Sequence, residues 1–232
     1  MISVWWIGLD PSSPLDRVLD RVAESVLSTA ELARAARFRF DEHRRRWIVA
    51  HIALRQVLGR ELAVSPAALT FASGSGGKPR LTGDHADALE FNLSHSGAMA
   101  LIAVSRSCPV GVDVEMIEPM PDLEAVAERQ FAPEERQALR ALPDADRMGA
   151  FYRIWTRKEA FIKATGTGLG HALDRFAVSH ERGDARFIHF DGDARAAESW
   201  SLVDIEIEGR YVGAVAAPLM SATVHLERWP TE

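Results

Sequence analysis

The stretch FYRIWTRKEAFIKATGTGLG, Phe151 to Gly170, decides how this chain is read, together with the shorter GVDVEM from Gly111 to Met116. Around the first, Met148, Phe151, Trp155 and Ile162 recur at steps of three, four and seven residues, which predicts a helix with one buried face. Trp155, Glu159 and Lys163 follow at four-residue steps and stack along one side, placing an acid and a base at the edge of the core. Gly166 and Gly168 supply the left-handed backbone that ends a helix. The second stretch lies within PVGVDVEMI, whose alternation is that of a strand. Val110, Val112, Val114 and Met116 point one way, and Gly111, Asp113 and Glu115 the other. Two carboxylates on one sheet face repel unless a cation or a partner intervenes. Alone, a D-x-E pair reads more simply as an exposed edge with two solvated acids. The W-x-x-K-E-A-x-x-K pattern shifts the balance towards a site in which three carboxylates and a lysine hold magnesium and a pyrophosphate.

The chain of 232 residues is long enough for one large domain or two small ones of roughly 110 residues, either able to bury a core. Hydrophobic residues at 47% and charged ones at 26% are ordinary for a globular protein. A formal charge of −6 argues against a general binder of nucleic acid or of anionic membranes. The single cysteine, Cys108, excludes an internal disulfide and any cysteine-based metal cluster, and is expected as a reduced thiol. MISVWWIGLD has no basic region followed by a long apolar run, and no stretch approaches the ~18 apolar residues of a membrane span. The expectation is a soluble, cytoplasmic protein with no nucleic-acid or membrane partner.

Ile2 to Leu9 reads as a first strand, and Pro14 to Leu27 as a helix. Ser28 and Glu31 form a capping box for a second helix reaching about Phe40, and Asp41 caps a third that runs to Gly59. Arg34, Arg37, Arg39, Arg44, Arg45 and Arg46 crowd this region, either as a solvated face or as an anion site of converging guanidiniums. Leu69 to Ser73 is a short strand, followed by the glycine-rich turn GSGGKP with Lys78. Strands over Leu89 to Leu93 and Met99 to Ser105 flank a tight connection, Ser94-His95-Ser96-Gly97, whose polar groups could cradle a phosphate or simply serve a turn. Short helices over Asp122 to Gln130 and Pro133 to Leu142 precede the key helix, Asp144 to Thr165. Strands then follow at Phe176, Arg186, Trp200, Tyr211 and Ala222. Helices followed by runs of strands give an α+β fold of two similar halves, residues 1–110 and 111–232. Phe151, Trp155 and Phe161 are expected in the core, and His51, His171, His180, His189 and His225 show no ligand spacing.

GVDVE, WTRKEAFIKATGTGL and FNLSHSG, with weaker matches in RFRFDEHRRRW and GKPRL, resemble the 4'-phosphopantetheinyl transferases of the larger surfactin (Sfp-like) type. The likeness covers most of residues 30 to 180. It implies a pseudo-duplicated monomer whose active site lies between the halves, coenzyme A as co-substrate, and magnesium as cofactor. It further implies an acyl or peptidyl carrier protein as partner, serving fatty acid, polyketide, peptide or siderophore synthesis. Carried over, Asp113, Glu115 and Glu159 resemble the metal-binding carboxylates, and Lys163 the lysine at the pyrophosphate. Ser94, His95 and Lys78 resemble contacts to coenzyme A, and Arg34 and Arg46 the basic positions at its nucleotide end. Glu31 stands where some relatives place a basic residue, with Arg37 or Arg45 as substitutes.

Magnesium suits this set independently, since it takes oxygen ligands and no thiolates or H-E-x-x-H pair are offered. Glu159 serves as the base for a carrier serine, or else ligates metal while a water on the ion is the base. Two other readings stay open: a magnesium-dependent nucleotide pyrophosphate hydrolase, and a non-catalytic module that binds coenzyme A or a carrier.

Overall fold

Two helices of 22 residues, each laid on a sheet, set the plan of the molecule. The computed structural model describes residues 1–10, 18–167, 173–190 and 197–229. Strand β1 (Ile2–Gly8) is followed by helices α1 (Leu19–Val26), α2 (Thr29–Ala35) and α3 (Asp41–Leu62). Next come β2 (Phe71–Ser73), β3 (Pro79–Leu81), the hairpin β4 (Glu90–Ser96) and β5 (Met99–Ser105), and β6 (Gly111–Met116). Helices α4 (Leu123–Gln130), α5 (Pro133–Ala141) and α6 (Asp144–Thr165) lead to β7 (Phe176–Val178), β8 (Phe187–Phe190), β9 (Ser201–Ile205), β10 (Tyr211–Ala217) and β11 (Val224–Arg228). The expected start of α1 at Pro14 and the stop at Gly168 lie outside the described residues.

One sheet has the order β11-β1-β5-β4 and another β6-β10-β9. Helix α3 covers one face of the first, burying Trp47, Ile52, Leu54 and Leu58 with Ile7, Phe91 and Ile102. Helix α6 covers one face of the second, where Phe151, Ile154 and Phe161 meet Leu202, Ala214 and Ala216. The opposite faces enclose a third cluster, with Ile2, Val4 and Leu101 against Val112, Val114 and Val215. Such burial is the main favourable term in the fold, at about 25 cal/mol per Å² of apolar surface removed from water. The α+β class and the two-part plan hold. One detail crosses the boundary at residue 110: β11 pairs in parallel with β1, Ile2 opposite Val224.

Local boundaries depart from the sequence reading in several places: α2 stops at Ala35, short of Phe40, and β2 begins at Phe71 rather than Leu69. Helix α3 continues past Gly59, which is buried inside it, and stops at Ala63 in a left-handed conformation with φ 56°. Gly59 is small for a packing reason, since a Cβ there would lie 2.9 Å from the Val64 carbonyl oxygen. Asp41 is the first helical residue and not the cap, which is Phe40. Ser94, His95 and Ser96 belong to β4 and not to the turn, which falls at Gly97, φ 55°. By contrast, the Ser28–Glu31 capping box and the Gly166 stop of α6, φ 68°, are as expected.

Strand β6 lies so close to α6 that Gly111 faces helix backbone. A Cβ at that position would sit 2.0 Å from the Ala160 carbonyl oxygen and 2.3 Å from the Ala164 nitrogen. On its other side α6 is anchored by Lys158, fully buried, whose Nζ lies 2.8 Å from the equally buried Glu135 carboxylate. Lys158 also donates to the carbonyls of Leu173 and Phe176, while Glu135 accepts from the Ala132 and Val178 amides. Arg157 holds Asp204 through two hydrogen bonds, at 2.9 and 2.8 Å.

Gly111→Ala is expected to lower stability by at least the roughly 1–3 kcal/mol typical of overpacking, because backbone must move. Chemical denaturation measures it, and an unchanged midpoint would contradict the packing. Lys158→Met, which leaves Glu135 buried and unpaired, should cost about 3–5 kcal/mol, with part recovered on adding Glu135→Gln.

Candidate active site

Strand β4 carries polar side chains at alternate positions, and all three turn towards β6. Asn92 Oδ1 accepts the Val112 amide at 2.9 Å. Ser94 Oγ donates to Asp113 Oδ1 at 2.8 Å. Ser96 Oγ donates to Glu115 Oε2 at 2.7 Å and accepts the Met116 amide at 3.1 Å. Side chains thus do between these strands what a backbone ladder does inside a sheet, and they bring the two halves together at the acids.

Helix α6 delivers the remaining groups. Lys163 Nζ lies 2.6 Å from Asp113 Oδ1 and 2.9 Å from Ser94 Oγ. Trp155, Glu159 and Lys163 are all half-buried, as their four-residue spacing requires on one side of the helix. Burial raises the pKa of Asp113 above the usual carboxylate range, against the opposing pull of Lys163. Burial also raises Glu159, with the Asp113 charge adding to it. Glu115 is raised by burial and, further, by the charges of Asp113 and Glu159. The three carboxylates therefore lie within electrostatic reach of one another, on a strand and a helix 44 residues apart at Glu115 and Glu159.

Among the described residues no three His, Cys, Asp or Glu side chains already form a metal cage. The donor chemistry nonetheless fits a hard divalent ion, because Asp113 Oδ2 is buried and has no hydrogen-bond partner. Beside the acids opens a cavity of about 280 Å³, lined by Gly76, Gly77, Lys78, Asn92, Glu159 and Lys163 among others. Lys78 Nζ donates to the Val110 carbonyl at 2.9 Å, and burial lowers its pKa.

Around α2 and α3 the structure adds to the sequence reading. His95, exposed at the position after Ser94 in β4, has its pKa lowered by partial burial of its ring and by the Lys163 ammonium. His51, to which the sequence assigned nothing, lies within electrostatic reach of His95, Arg34 and Glu31. Its signal was its position in α3, one turn after Trp47. Arg34 lies over the Trp47 ring, 5.7 Å from the centroid. Arg46 is drawn to Glu42 at 2.6 Å, and its buried Nε has no partner. Glu31, the departure from the basic pattern, is consumed by structure: it accepts from Arg55 at 2.7 Å and caps α2 through Ser28. Burial works to raise Glu31, but these hydrogen bonds prevail and leave its pKa lowered.

Known proteins match this sequence over about three quarters of the chain or more. The chain is 39% identical over 216 residues to the 4'-phosphopantetheinyl transferase HetI of Nostoc sp., spanning 93% of this chain and 86% of that protein. This chain belongs to the 4'-phosphopantetheinyl transferase superfamily. The superfamily's pattern matches residues 109–216, and that of the 4'-phosphopantetheinyl transferase N-terminal region matches residues 13–107. A putative 4'-phosphopantetheinyl transferase of Synechocystis sp. is 36% identical, over 78% of this chain and 73% of its own length. The 4'-phosphopantetheinyl transferase Sfp of Bacillus subtilis is 32% identical, over 74% of each chain. The transferase is thus of the Sfp-like type, and the cavity beside the acids is lined from regions matched by both patterns. Among the described residues no helix is long and apolar enough to cross a membrane.

Burial holds His51 neutral, its pKa lowered from 6.5 to about 4. The unfolded chain binds the proton more readily, so the stability this gives is full above pH 6.5 and is lost as pH falls towards 4. The loss amounts to roughly 3 kcal/mol at most. Denaturation of the transferase at pH 7.5, 5.5 and 4.5 should show this fall, with a flatter profile for His51→Leu.

Proposed function

We propose that the cleft transfers the 4'-phosphopantetheine arm of coenzyme A to a serine of an acyl or peptidyl carrier protein, releasing adenosine 3',5'-bisphosphate. The observation that carries this reading is the meeting of Asp113 and Glu115 on β6 with Glu159 and Lys163 on α6 beside a glycine-lined cavity. Asp113, Glu115 and Glu159 would hold a magnesium ion, and the unpartnered Asp113 Oδ2 supports that assignment. When bound, the ion neutralises charge on the pyrophosphate oxygens.

The protein side chains perform the rest. Glu159 accepts the proton of the carrier serine, whose oxygen bonds to the pantetheine-side phosphorus while the bridging phosphorus–oxygen bond breaks. Its half-buried position on the wall of the cavity suits a base. Lys163 places its ammonium against the departing bisphosphate, and Lys78 with its flanking glycines lines the route of the nucleotide. Ser94 orients Asp113 and Lys163 through its two hydrogen bonds, and His95 faces the phosphates. Arg34 and Arg46 lie at the nucleotide end. In this reading residues 1–110 chiefly hold the nucleotide and residues 111–232 the reacting groups, within a cytoplasmic monomer.

Mass spectrometry of apo carrier proteins incubated with the protein, coenzyme A and magnesium should show the added arm. Glu159→Gln is expected to slow that modification by about 10²-fold or more while the fold persists. Modification at the wild-type rate would remove Glu159 from its role. Bisphosphate released without any carrier would favour a pyrophosphate hydrolase instead.

A further inference from the structure

Of the arginines in this region Arg34 rests on a buried ring, Trp47, whereas Arg39 lies over the exposed Phe40. Arg44 pairs with Asp20, Arg46 with Glu42 and Arg55 with Glu31. Among the described residues Arg34 has no ion pair, and its contact is the Trp47 ring. It is exposed, on the last turn of α2, so its charge faces outward while its guanidinium rests on an aromatic surface. A guanidinium above an indole is held by the ring quadrupole as well as by packing.

The ring beneath it is itself fixed. Trp47 is 5% exposed, with Phe38 tilted against it at 6.1 Å. His51, one helical turn on, stacks on the indole with centroids 3.7 Å apart and planes 23° from parallel. His51 Nδ1 lies 2.9 Å from the Trp47 carbonyl oxygen. A carbonyl only accepts, so Nδ1 carries the proton and the imidazole cannot turn without losing that bond. With its pKa near 4 the ring is neutral at physiological pH and does not repel the neighbouring guanidinium. His51 is also within electrostatic reach of His95, and His95 of Lys163.

We infer that Trp47 and His51 are positioning residues that hold the Arg34 guanidinium ready for the 3'-phosphate of coenzyme A. The inference rests on the reading of Arg34 as a contact at the nucleotide end. A long, unpaired side chain loses rotational freedom on binding a phosphate, and a ring that already restricts it makes that loss smaller. The effect falls on binding of the 3'-phosphate and not on the chemical step, which takes place at the acids.

Steady-state kinetics with an apo carrier protein, comparing coenzyme A with 3'-dephospho-coenzyme A, test this. Arg34→Ala, Trp47→Leu and His51→Leu should each raise KM for coenzyme A, by about fivefold for Trp47→Leu, while kcat and KM for the dephospho form stay within about twofold. Trp47→Phe, which keeps a ring, should recover most of the loss. If Arg34→Ala does not separate the two co-substrates, Arg34 is no phosphate contact and the inference falls with that reading. If Arg34→Ala separates them but Trp47→Leu and His51→Leu raise both KM values alike, the phosphate reading stands and the positioning role is overturned. Should Trp47→Leu fail to fold by circular dichroism, His51→Leu decides.

Discussion

The approach of β6 to α6 at Gly111 is the constraint on which the site depends. Helix and strand normally keep a side chain's thickness between their backbones, but here the missing Cβ removes it. Asp113 follows two residues later on the same face, and Glu159 and Lys163 flank the contact at Ala160 and Ala164. The rotational setting of the helix is fixed from behind. Lys158 is locked to Glu135 and two carbonyls in the interior, and the next residue, about 100° round the helix, must then face the cleft. A buried pair of this kind is a poor source of stability, and here it fixes which side of α6 faces the acids of β6.

The join between the halves follows another rule. Asn92, Ser94 and Ser96 alternate along β4, and each reaches β6 with a side chain. Ser94 and Ser96 serve at once as mortar between the sheets and as partners of the acids Asp113 and Glu115. The same hydroxyls therefore join the strands and orient the acids.

Much of this was legible in the letters. The period of α6, the alternation of β6 and the capping box of α2 are local signals, and each is found where expected. Ser94 and His95 were misread because serine, histidine and glycine in a row suit a turn, while the pairing of Ser94 with Leu101 and His95 with Ala100 depends on a partner strand. Lys158 read as part of a catalytic-looking motif, yet it is structural, since its partner Glu135 lies far back in sequence with no pattern to link them. Likewise the carboxylate at Glu31 broke the basic pattern, and only Arg55, 24 residues on, explains it. His51 carried no ligand spacing because its neighbours are a stacked ring and groups from other elements.

The parallel pairing of β1 with β11 orders events during synthesis. Residues 2–6 are made more than 200 residues before the strand that covers one of their edges, residues 224–228. Until then β1 shows an open edge, and Trp229, which joins the core beneath α3, is missing from the interior it completes. The strand that opens the amino-terminal half therefore has one edge closed, and part of its core filled, by residues from the far half.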